Sequence, residues 1–107
     1  MPRTLVAEII AGQMVRSGTS TGANYRAACR ARSRAEFIAK IGVAEEEADE
    51  TQYWLELFET TLAKSETVRR LIAEATELVA ILSASRKTAR EAEKERRRMV
   101  ETRKVDD

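Results

Sequence analysis

Between Phe37 and Leu62, apolar or small side chains recur at Phe37, Ile41, Ala44, Ala48, Thr51, Leu55, Phe58 and Leu62. The steps alternate between four and three residues, which places all eight on one narrow stripe of a helix packed against other helices. Ser33 and Glu36 precede the stripe with capping-box spacing: the serine can accept from the amide three residues on, and the glutamate can reach back to the amide of Ser33. No proline interrupts this stretch, and Gly42 costs only about 1 kcal/mol relative to alanine. At 1.5 Å per residue, roughly 29 residues span about 43 Å, a length that needs packing partners from end to end.

Weaker patterns flank this axis. Thr4 is a plausible N-cap for a helix with Leu5, Val6, Ile9, Ile10 and Met14 on one side. Ser17-Gly18-Thr19-Ser20 predicts a break or kink, because glycine and hydroxyl side chains compete with the helical ladder. Helical character resumes through Ala23–Arg30. Lys64–Thr67 reads as a connection between helices, with Ser65 or Thr67 as the next cap, before a helix carrying Val68, Leu71, Ile72, Ala75, Leu78, Val79 and Leu82. Beyond residue 85 only Met99, Val100 and Val105 are large and apolar, which predicts a charged tail, a frayed helical extension that ends in disorder. The expected division is a helical bundle over 1–85 and a charged helical or disordered tail over 86–107.

Composition sharpens the fold class and excludes several functions. One proline and four glycines in 107 residues read as all-α, with no evident place for strands. The single cysteine, Cys29, rules out an internal disulfide framework, and no apolar run is long enough to span a bilayer. Glu8 interrupts the N-terminal apolar run, so no signal peptide is read there and the expected compartment is the cytoplasm. Net charge is only +1, but it is unevenly placed. Residues 1–40 carry seven basic and two acidic groups, residues 41–66 one and eight, and residues 86–107 nine and six. Such bipolar patterning favours complementary self-association or a local anion site over wholesale wrapping by nucleic acid.

The runs Arg16–Arg26, Ala28–Ile38, Glu46–Thr51 and Tyr53–Leu57 resemble the small bacterial four-helix-bundle proteins, also called ribosomal RNA intervening-sequence proteins, over roughly residues 3–82. That resemblance implies an up-down helical bundle assembling as a ring-shaped homo-oligomer, commonly a pentamer, with no catalytic residues. It also brings in the accessory variability determinant proteins of retroelements, which use basic surface on nucleic acid and a reverse transcriptase. In these relatives a complete amphipathic helix precedes the segment that begins here at Met1-Pro2-Arg3-Thr4. The resemblance therefore implies a bundle truncated to about three helices, lacking the first. Relatives often carry an acidic residue where this chain has Ala27, which would remove one internal partner for an arginine such as Arg16.

Candidate chemistry is sparse. Arg26, Arg30 and Arg34 are spaced by four, with Arg32 between, and would line one face if a single helix ran through them. They read either as a nucleic-acid (RNA or DNA) surface or as partners for acidic segments, with Arg96–Arg98 as an adjunct to the first reading. Tyr25 is the only aromatic nearby, which argues against base stacking. The carboxylates Glu45, Glu46, Glu47, Asp49 and Glu50 read as acceptors for Arg16 and Arg26–Arg34. A di-metal bundle site needs histidine, and the chain has none. A hydrolytic serine lacks a base for the same reason, so neither an enzymatic activity nor a cofactor is expected. Ser17, Ser20 and Asn24 could sit inside the bundle. Phe37, Ile41, Trp54, Leu55, Leu57 and Phe58 are the expected core and oligomer contacts. Trp54, Leu57 and Thr61 are turned away from the main stripe as a second face.

Overall fold

A computed structural model describes residues 3–106, and these form three helices without a strand: α1 (Arg3–Cys29), α2 (Arg34–Thr61) and α3 (Glu66–Asp106). Short turns make neighbours antiparallel, giving an up-down bundle in which α2 packs against both α1 and α3. No Cα of α1 comes within 8 Å of one in α3. The predicted stripe is the buried face of α2. Ile41, Ala44, Ala48, Leu55 and Leu62 are buried, with Phe37, Thr51 and Phe58 half-buried at its edges. Ala28 from α1 and Leu82 from α3 close the core on either side of Ile41, Ala44 and Ala48.

The helix ends follow the capping chemistry. Ser33 is extended (φ −149°, ψ 162°), and its hydroxyl accepts from the Glu36 amide at 3.0 Å. Glu36 reaches back one residue further than the expected capping box, to the amide of Arg32 at 3.3 Å. Ser65, not Thr67, caps α3, accepting from the Val68 amide at 3.1 Å. Thr4 lies within α1 rather than ahead of it.

Two expectations are corrected. α1 runs unbroken through Ser17–Ser20, because the hydroxyls bond within the helix instead of competing with it. Ser17 Oγ donates to the Gln13 carbonyl at 2.8 Å, Thr19 Oγ1 to Val15 at 2.7 Å and Thr21 Oγ1 to Ser17 at 2.8 Å. The glycines keep ordinary helical backbone, with no positive φ. The tail, second, is helix through Asp106, with no disordered end among the described residues. No glycine or proline follows Gly42, and local pairs such as Glu93–Arg96 (2.7 Å) and Glu95–Arg98 (3.2 Å) support the extension.

α3 is therefore the longest element at 41 residues, about 61 Å, and it overshoots its partners. The molecule measures 70 × 21 × 20 Å with a radius of gyration of 18.7 Å, against roughly 13 Å for a compact chain of this size.

Candidate functional site

Because α1 and α3 flank α2 without meeting, one side of the bundle is left open. Its floor is Ala48 and Thr51 of α2, one wall is Gly18, Thr21, Gly22 and Tyr25 of α1, and the other is Ala75, Leu78 and Leu82 of α3. The channel holds about 260 Å³ and is almost wholly apolar. Small floor residues and two glycines make it deep. A Cβ added at Gly18 or Gly22 would meet no atom within 4 Å. On its rims stand Leu78 (41% exposed) and Tyr25 (51%), with Ile81 (60%) further along α3. In a four-helix bundle this is the side on which a further helix lies.

Beside the channel, a polar seam joins α1 to α2. Ser17 is fully buried, and the Thr51 hydroxyl donates to its oxygen at 2.8 Å. Arg16 reaches Glu47 at 3.2 Å, bonds Glu50 closely, and donates from Nε to Gln13 at 3.0 Å. Trp54 completes the cluster, its indole N–H donating to Glu50 at 3.2 Å and its ring meeting Tyr53 edge to face at 5.1 Å. The indole N–H and then the guanidinium hold the Glu50 carboxyl below its ordinary value, while Glu50 raises Arg16. The acceptor role expected of the acidic segment is thus observed for Arg16. Glu45 instead pairs with Arg86 of α3 at 2.8 Å. Glu46 and Asp49 are exposed. Among the described residues no group of three His, Cys, Asp or Glu side chains could hold a metal ion.

The basic cluster is not one helical face. α1 ends at Cys29 and α2 begins at Arg34, so Arg30 and Arg32 occupy the turn between them. The turn is closed by the amides of Arg30 and Ala31 bonding to Ala27 and Ala28. Arg34 is drawn to Glu93 of α3 at 3.7 Å. Arg26, Arg30 and Arg32 are exposed and, among the described residues, lack a carboxylate within 4 Å. Cys29 is exposed beside Tyr25, and a hydrogen bond between their side chains raises the phenol's pKa.

Of the expected core and oligomer contacts, Ile41 and Leu55 are buried, whereas Phe37, Trp54, Leu57 and Phe58 are half-buried. Ser17 was legible as an inward residue, with Ser20 and Asn24 half-buried beside it. Thr21 was missed, although the steps Ile10, Met14, Ser17, Thr21, Asn24, Ala28 alternate as regularly as those of α2. The α1 wall of the channel was missed with it.

The model of the family described as 23S rRNA-intervening sequence protein matches residues 5–84. Among solved structures, a Bacteroides thetaiotaomicron protein of unknown function from the S23 ribosomal protein family is similar. It shares 42% identity over 74% of each chain, with a TM-score of 0.70. No curated protein matches. No described helix is long and apolar enough to cross a membrane.

Proposed function

The chain belongs to the 23S rRNA-intervening sequence protein family, and from that premise we propose that it is a non-enzymatic, self-associating bundle protein, a ring-shaped homo-oligomer serving as an assembly or adaptor factor. The open apolar channel carries this reading. Leaving its walls in water forgoes roughly 25 cal/mol for every Å² that a partner helix could cover. Glycines at 18 and 22 give that partner close backbone approach, and a salt-insensitive contact follows from the apolar lining. Five subunits is the state that the family resemblance suggests. The test is to fill or charge the channel from either wall, with Gly22→Trp on α1 and Leu78→Glu on α3. Each variant should keep its helical circular dichroism and sediment as a smaller species. Unchanged sedimentation for both would remove the channel from the assembly.

A second reading, a nucleic-acid-binding accessory factor, is favoured by the three unpaired guanidinium groups at the α1–α2 turn, Arg26, Arg30 and Arg32. Replacing all three with glutamine should weaken RNA or DNA binding with little effect on assembly, as measured by anisotropy. Equal affinity for both proteins would dismiss the turn as the contact surface.

A further inference from the structure

The second half of α3 lies outside the segment matched to the family; it runs beside the first turns of α2 as far as Glu93 and beyond them thereafter, and its charges are sorted by face. At 100° per residue, Arg86, Lys87, Lys94 and Arg97 all fall within about 60° of Arg90. Two carboxylates share that sector. Glu93, at its edge, is already engaged by Arg34, Arg96 and Arg97, and Glu101 lies further toward the end of the helix. Arg86 lays its stem against Gly42 and pairs with Glu45, which anchors the start of the row to α2. Lys87, Arg90 and Lys94 then line one concavity, which Glu91 shares, and among the described residues the three cations have no carboxylate within 4 Å.

The order of charges is the informative part. Arg86, Arg90, Lys94 and Arg98 follow one another at intervals of four, so each cation repels the next along the helix. An extension built only for solubility would alternate signs at that spacing, as Glu93–Arg97 does. Residues 86–106 also contain no aromatic side chain, so they offer nothing for unpaired bases to stack on. An exposed helix face with successive cations about 4.5–6 Å apart along its axis is instead suited to the phosphate backbone of a duplex.

We propose that the face of α3 formed by Lys87, Arg90 and Lys94, anchored by Arg86, binds the phosphate backbone of double-stranded nucleic acid. It shares the chemistry of the second reading above but not its surface, and it does not depend on self-association.

The test uses the full chain, a labelled 20-base-pair DNA duplex, a single-stranded RNA of equal length and poly-glutamate, over a salt series. Lys87, Arg90 and Lys94 are changed together to glutamine. A charge-matched control changes Arg70, Arg96 and Arg103, which sit about 120–160° around the helix. The first variant should lose roughly tenfold or more in duplex affinity, its log–log salt slope falling by about 2.7, or about 0.9 per cation. The control should stay close to the parent, and circular dichroism should show both folded. Equal losses in the two variants would reduce the effect to net charge and overturn the proposal. So would absence of duplex binding, equal or tighter binding of the single strand, or poly-glutamate bound as tightly as duplex, which would mark a surface for acidic protein. Loss in the Arg26/Arg30/Arg32 variant without loss in the α3 variant would uphold the turn and refute this site.

Discussion

Glu50 accepts from two helices' worth of donors, Trp54 on its own helix and Arg16 on α1, and its depressed pKa makes it sensitive to acid. Its folded value lies below the ordinary 4.5. The stabilisation it contributes is therefore complete above that ordinary value and is lost as pH falls through the lower folded one. Glu50→Gln should lower the denaturant midpoint at pH 7 and flatten its further decline between about pH 5 and 3. Parallel pH profiles for variant and parent would contradict this assignment. Trp54 is only half-buried, so Trp54→Ala should cost about 2 kcal/mol, below the roughly 3–5 kcal/mol of a fully buried aromatic. Thermal unfolding of the two proteins measures the difference.

At the scale of elements, α2 was legible because its inward positions are mostly hydrophobic and its N-cap is unambiguous. α1 was half-legible. Its inward row has the same alternating steps, but Ser17, Thr21 and Asn24 give it no hydrophobic contrast, and their role depends on hydrogen bonds that only the folded helix supplies. Gly18 misled in the same way, reading as part of a kink while serving, with Gly22, as bare wall. Gly18→Ala should stabilise the isolated bundle by about 0.5–1 kcal/mol, since the methyl has open space and helix propensity improves. A loss of melting temperature without any change in assembly would contradict the open wall. α3 invites a graded truncation. Ending the chain after Arg98 should leave the melting temperature nearly unchanged. Ending it after Ser85 removes the Arg86–Glu45 and Arg34–Glu93 pairs and the turns of α3 that pack beside Phe37, and should lower the melting temperature measurably. Equal melting temperatures for the two truncations would sever the link between α3's middle turns and the bundle.

Over the whole molecule, the bipolar charge seen in the sequence becomes a clamp. The acidic α2 receives Arg16 from α1 and Arg86 and Arg69 from α3, through Glu47, Glu50, Glu45 and Glu59. Among the described residues, Arg26, Arg30 and Arg32 around the α1–α2 turn and Lys87, Arg90 and Lys94 on α3 are left without an ion pair, while Glu46 and Asp49 stay exposed on α2. The channel could not be read from the chain, because it is the space that three helices leave, and no local pattern reports which side of two flanking helices fails to close. With that space open, a single copy is not expected to be the working unit. Light scattering coupled to size-exclusion chromatography, at low and at high salt, tests it most directly. A discrete oligomer that survives high salt, with about five copies expected from the family resemblance, is the predicted result. A monomer at both salt concentrations would contradict it.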